Sequence, residues 1–184
     1  MKNKNILSKL ILVSVLFVFI LSYNIGTTYA TNVSQDKLIE LANKARKDAG
    51  LNSLTIDPML SLAASDKAAD MLVGQYFEHY SPNGVSPWKF ITNAGYDYAY
   101  AGENLAIDFK TSEAIHNAWM ASPSHKANIV NAHFGNVGVA VVEGLFDNHN
   151  TKLVVQMFGA KQKPLYAGLD NLILKVRDWM LGSK

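Results

Sequence analysis

Val137-Gly138-Val139-Ala140-Val141-Val142 and Leu153-Val154-Val155-Gln156-Met157-Phe158 decide the fold of this chain. Both runs have the period-two character of strands, yet apolar or small residues occupy both phases. Between them Asp147-Asn148-His149-Asn150 is turn chemistry, so the two runs make a β-hairpin. A strand pair that is apolar on both faces belongs to a sheet covered on both sides.

The material to cover it lies upstream. Asn32 to Ala49 reads as a helix, with Leu38, Leu41, Ala42 and Ala45 on one face and Gly50 as its stop. Asp57-Pro58 opens a second helix, with a capping carboxylate and a proline at the first helical position. Its body carries Leu60, Ala63, Ala64, Lys67, Ala68, Met71 and Leu72, and it ends at Gly74. Gln75 to Gly84 is a loop, and Ser86-Pro87-Trp88 starts a short helix that stops at Gly95. Tyr96 to Leu105 is an aromatic segment, with Gly102 just before Glu103. Thr111 caps another helix, with Glu113 favoured in its first turn by the helix dipole and an apolar stripe of Ala114, Ile115, Ala118 and Trp119. Ser122-Pro123 disfavours its continuation. Helices before strands predict an α+β fold in layers.

The chain has 184 residues, and its two ends stand apart from this pattern. Lys2, Lys4 and Lys9 precede the apolar run Leu10 to Leu21, and Thr28-Tyr29-Ala30 follows with small residues: the layout of a secretory signal, cleaved after Ala30. Removing that segment, residues 1–30, lowers 17 Lys+Arg to 14 against an unchanged 15 Asp+Glu, a formal net charge of −1. The basicity belongs to the signal, nucleic acid is not an expected partner, and membrane contact is expected only through an uncleaved signal. No cysteine is present, which excludes thiol chemistry, zinc–thiolate sites and disulfides. After the domain at 31–160, residues 161–184 form an amphipathic extension. Its apolar stripe is Leu169, Leu172, Ile173, Val176, Trp179 and Met180, and it is expected to pack back on the domain.

Five histidines offer titratable chemistry: His79, His116, His125, His133 and His149. His116 falls mid-helix and is expected to be exposed, His133 lies in a loop, and His149 sits in the hairpin turn. His79 and His125 fall where helices end and turns begin, the places that build clefts. With Glu103 beside Gly102, they are a kit for holding a divalent cation such as zinc or for moving a proton. No HExxH pair and no G-x-S-x-G elbow is present.

Taken in order, these segments resemble the CAP family, the SCP-like extracellular proteins named for cysteine-rich secretory proteins, antigen 5 and pathogenesis-related 1. The residues that carry the resemblance are Leu38-Ile39-Glu40-Leu41-Ala42-Asn43 with Arg46, Leu54-Thr55-Ile56-Asp57-Pro58, and Phe77-Glu78-His79-Tyr80-Ser81-Pro82-Asn83-Gly84. They continue through Ala101-Gly102-Glu103-Asn104-Leu105, Trp119 to Ile129, Gly138-Val139-Ala140 and Val155 to Gly159. The resemblance is to the bacterial branch, which lacks the disulfides of the eukaryotic members. It implies a three-layer α-β-α sandwich around an antiparallel sheet. It also implies a cavity lined by two histidines and two acids, which in some members binds zinc. His79, Glu103 and His125 match three of the four, while Ser122 stands where the fourth acid is placed.

Two functions remain open at this level. One is a secreted or cell-envelope binding module, non-catalytic, with His79, His125 and Glu103 around a divalent cation and a small apolar ligand or an envelope protein as partner. The other is a metal-assisted hydrolase with Glu103 as general base on a metal-bound water. Glu103 can also be a buried structural acid, hydrogen-bonded to loop backbone and one histidine.

Overall fold

A computed structural model describes residues 32–162 and 169–182 of the chain. The signal read at residues 1–30 lies outside them. Helix α1, Gln35–Asp48, starts at Ser34, whose side chain accepts from the Lys37 amide. Strand β1 is Thr55–Ile56, and α2, Pro58–Gly74, begins with Asp57 capping the Met59 amide at 2.9 Å. Helix α3 is Pro87–Asn93. The aromatic segment, given no element from the sequence, holds a strand, β2, Tyr98–Ile107. Helix α4, Ser112–Ala121, is capped by Thr111 as the sequence predicts.

Pro123 stops α4, but it also occupies the first position of a new helix, α5, Pro123–Ile129. Proline lacks the N–H that a first-turn residue does not need, so the same residue ends one helix and opens the next. His125 therefore sits in the first turn of a helix rather than in a turn.

Strands β3, Asn136–Phe146, and β4, His149–Lys161, form the expected hairpin, with Phe146 paired to His149. Its turn is shorter than the sequence suggests. Asp147 and Asn148 both have positive φ, 46° and 62°, which is the two-residue turn whose twist matches the strands.

The sheet order is β1-β3-β4-β2, with β2–β4 and β3–β4 antiparallel and the short β1 parallel to β3. Alternating side chains feed two cores. Ala106, Val137, Val139, Val154 and Phe158 pack with Leu38, Ile115, Trp119 and Ile129 on the α1/α4/α5 side. Leu105, Ala140, Leu153, Val155 and Met157 pack with Leu60, Ala64, Met71 and Ile91 on the α2/α3 side. The result is the three-layer α-β-α sandwich. Gly138 lets α2 lie directly on β3: a Cβ there would stand 2.2 Å from the Leu60 carbonyl carbon. Arg46, buried at the end of α1, donates to the carbonyls of Asn52, Ile129, Asn131 and Phe134 at 2.7–3.0 Å.

The C-terminal helix α6, Leu169–Leu181, differs from expectation. Its residues Leu172, Ile173, Val176 and Met180 are exposed rather than packed on the domain. The two cores on the faces of the sheet are built from residues of α1–α5 and the strands.

Among the described residues no helix is long and apolar enough to cross a membrane.

Candidate functional site

The site forms around the free edge of β2. The Asp108 amide donates to the Lys152 carbonyl of β4 at 3.0 Å. By the alternation of an antiparallel pair, the backbone groups of the even residues from Gly102 to Ala106 face β4 and those of the odd ones, Glu103 to Ile107, face outward. Two outward carbonyls are taken by side chains of the neighbouring helices. Trp119 Nε1 donates to Leu105 O at 2.9 Å, and Asn128 Nδ2 donates to Glu103 O at 3.0 Å. These contacts blunt an edge that would otherwise invite another strand, and they tie α4 and α5 to β2. Asn128 Nδ2 also donates to Asn104 Oδ1 at 2.9 Å, and Asn104 Nδ2 donates to the His125 carbonyl at 3.2 Å. Thus α5 and its histidine are held against the strand that carries Glu103.

Side chains alternate along β2, so Glu103 points to the α2/α3 layer with Leu105, while Asn104 points to the other layer. The loop after α2 brings His79 to Glu103. Nδ1 of His79 donates to Oε1 of Glu103 at 2.6 Å, with the imidazole 53% exposed and the carboxylate side chain 1% exposed. Hydrogen bonding to Glu103 raises the His79 pKa against the opposing effect of burial. The second oxygen of Glu103, Oε2, is buried and has no hydrogen-bond partner among the described residues.

His125 is partnered differently. Its Nδ1 shares a hydrogen bond of 2.8 Å with Ser122 Oγ. Ser122 is the N-cap residue of α5, but its hydroxyl serves the imidazole instead of a backbone amide. Burial lowers the His125 pKa, and the charge of His79 lowers it further.

Two clefts share His79 and Tyr80. One, of about 460 Å³, is lined by Phe77, Glu78, Leu105 and His125 as well. The other, of about 370 Å³, is bounded by Trp88, Gly102, Glu103 and Asn128 among others. The three predicted site residues are thus brought to one neighbourhood and divided between two clefts: His125 lines the first, Glu103 the second, His79 both. Among the described residues no group of three His, Asp or Glu is arranged to hold a metal ion.

The other histidines stand apart. His116 is half-buried rather than exposed, and burial lowers its pKa. His133 stacks on Tyr100 with centroids 4.3 Å apart. His149 Nε2 donates to Asp108 Oδ2 at 3.0 Å on the surface.

Sequence reasoning missed Asn104 and Asn128 as the bracing of the site, and Lys67 behind it. Lys67 had a signal: a charged residue on the apolar stripe of α2. The asparagines had none, because their role depends on which strand edge is free.

Comparison with known proteins agrees with this architecture. The cysteine-rich secretory protein (CAP) family matches residues 39–158, and the chain belongs to that family. It is 41% identical over 122 residues to YkwD of Bacillus subtilis, a match that covers 65% of this chain and 48% of that protein. Among solved structures it is similar to an extracellular protein containing an SCP domain from Bacillus anthracis, at 27% identity and a TM-score of 0.60, covering 69% of this chain and 40% of the other. It is also similar to an outer surface protein of Borrelia burgdorferi, at 25% identity and a TM-score of 0.61, covering 69% and 92%. The chain spans about half the length of YkwD.

Proposed function

We propose that the chain is an extracellular CAP-domain binding module, whose clefts beside His79 take a ligand without turning it over. The described structures of Bacillus anthracis and Borrelia burgdorferi, named as an extracellular and an outer surface protein, support the location. The apolar walls of Phe77, Tyr80, Leu105 and Trp88 suit a small apolar ligand or the side chains of an envelope protein.

One observation carries the non-catalytic reading. A serine–histidine–acid relay needs serine and acid on the two nitrogens of one imidazole. Here Glu103 is bonded to His79, while Ser122 is bonded to His125. The parts are close but connected to different rings.

The same wiring bears on a divalent cation such as zinc. Each imidazole has Nδ1 engaged, so His79 and His125 would present Nε2. Two imidazoles are one short of the three protein ligands usual for catalytic zinc. Glu103 Oε1 already holds His79, the orienting role carboxylates have behind metal-bound imidazoles, and only its unpartnered Oε2 is left to reach a cation. Once bound, a cation would supply a Lewis-acidic anchor for an oxygen of the ligand.

The test uses the whole chain, titrated with zinc chloride by calorimetry and assayed against peptide, ester and glycan substrates. The expected result is zinc uptake by wild type, weakened at least about tenfold in His79→Ala/His125→Ala, which removes both imidazole ligands, with no turnover of any substrate. Absence of zinc uptake at neutral pH removes the cation from the reading. Turnover abolished by Glu103→Gln replaces the binding module with the metal-assisted hydrolase.

A further inference from the structure

Lys67 of α2 is 0% exposed, and no part of the proposed site makes direct use of its charge. Its Nζ donates to Tyr76 OH at 3.0 Å and to the His79 carbonyl at 2.9 Å. The ammonium lies over two rings, 4.6 Å from the Tyr76 centroid and 5.5 Å from that of Phe90. Tyr76 in turn donates to Asp70 Oδ2. A line of hydrogen bonds therefore runs from Asp70 on α2 through Tyr76 and Lys67 to the backbone of the histidine.

A buried ammonium is costly to desolvate, and a methionine would fill this volume without that cost. What lysine supplies is donors. Residues 75–86 have no regular structure, and the bonds at the loop tip are internal: Ser81 with Val85 and Gly84 with Ser81. They shape the tip without attaching it to the domain. His79 is attached twice, by its carbonyl to Lys67 and by its ring to Glu103. The first bond fixes where the residue sits, and the second fixes how its ring turns. Neither contact alone does both.

The geometry points to Lys67 as the positioning residue of the site: its bond to the His79 carbonyl seats the loop so that Nδ1 of His79 meets Glu103 and Nε2 is left for the clefts. Burial lowers the Lys67 pKa, and the carboxylates of Glu103, Asp70 and Glu78 oppose that effect. Those three acids face it from β2, from α2 itself and from the loop. This role deepens the binding-module reading and rests on it, but its test involves no ligand.

The experiment compares wild type, Lys67→Met and Tyr76→Phe as whole chains at one pH. It reads the ¹⁵N shifts of the His79 ring, which report the tautomer, together with amide exchange over residues 77–82. Circular dichroism checks the fold. In folded Lys67→Met, the ring is expected to lose its Nδ1–H preference and exchange at 77–82 to rise by roughly tenfold, as for a segment released from the domain. Tyr76→Phe, which keeps the bond from Lys67 to His79, is expected to retain the wild-type tautomer. A folded Lys67→Met with unchanged His79 ring shifts and exchange overturns the proposal. If Lys67→Met does not fold, the wild-type protein decides by itself. A scalar coupling from the Lys67 ammonium nitrogen to the His79 carbonyl carbon at low temperature supports the proposal, and its absence overturns it. Failure of zinc or ligand binding changes none of these readouts, so the two readings fail separately.

Discussion

His79 Nδ1 lies 2.6 Å from Glu103 Oε1, joining a half-exposed imidazole to a carboxylate that water scarcely reaches. The hydrogen bond raises the folded-state pKa of His79. A raised pKa means that the folded state binds the proton more tightly than the unfolded one. The resulting stabilisation is fully present below the unfolded value near pH 6.5 and is lost as pH rises through the folded value. Wild type should therefore exceed His79→Gln in melting temperature at pH 5.5–6, and the gap should narrow on moving to alkaline pH. A gap that widens with pH contradicts this account.

Glu103→Ala removes the acceptor for His79 and leaves Lys67 with less compensating negative charge. The half-exposed His79 donor can turn to water, so the loss expected in urea denaturation is about 1 kcal/mol, the net worth of an ordinary hydrogen bond. Glu103→Gln keeps an acceptor oxygen and should lose less. Equal losses for both substitutions would show that charge, not hydrogen bonding, is what matters.

Arg46 ties the end of α1 to the loop that follows it through the Asn52 carbonyl, and to the end of α5 and the segment before β3 through those of Ile129, Asn131 and Phe134. Arg46→Met fills much of the volume but leaves several carbonyls unpaired. With each worth roughly 1–3 kcal/mol, the expected destabilisation is about 3 kcal/mol or more. Arg46→Lys should recover only part, since a single ammonium cannot span the fork. Chemical denaturation of the three proteins measures this directly.

Gly138→Ala would place a methyl 2.2 Å from backbone atoms of Leu60 and Ser61. Backbone cannot rotate away as a side chain can, so α2 must shift on the sheet. The expected cost is at or above the upper end of the roughly 1–3 kcal/mol seen for overpacking. Gly135→Ala meets nothing within 4 Å and should stay within about 0.5 kcal/mol of wild type. Thermal melts of the pair separate close packing from a general intolerance of alanine.

Legibility in the sequence followed the range of the interaction. Asp57-Pro58 and Thr111 announced helix starts because a cap and its amide lie within three residues. The hairpin was legible because its partners are consecutive. Strand β2 was not, since what makes Tyr98–Ile107 a strand is pairing with β4, whose partner residues are distant in sequence, Ile107 with Leu153 and Tyr98 with Lys161. Pro123 was legible as a stop but not as a start, because only the chain beyond it shows a second helix. The stripe of α6 was legible as amphipathic, but a stripe along one helix does not say whether a partner surface meets it, and Leu172, Ile173, Val176 and Met180 are exposed.

The amino-acid sequence by itself determined the local elements, the doubly covered hairpin, and the three residues His79, Glu103 and His125 that gather at one edge of the sheet. Tertiary structure alone decided how they are connected. Glu103 joins His79 because alternation along β2 turns its side chain toward α2, and Ser122 joins His125 because it immediately precedes the helix that carries it, three residues before the imidazole. Spacing along a chain can bring residues to one place, but hydrogen bonds are set by the direction each side chain leaves its backbone. That direction is fixed only when strand register and helix packing are complete.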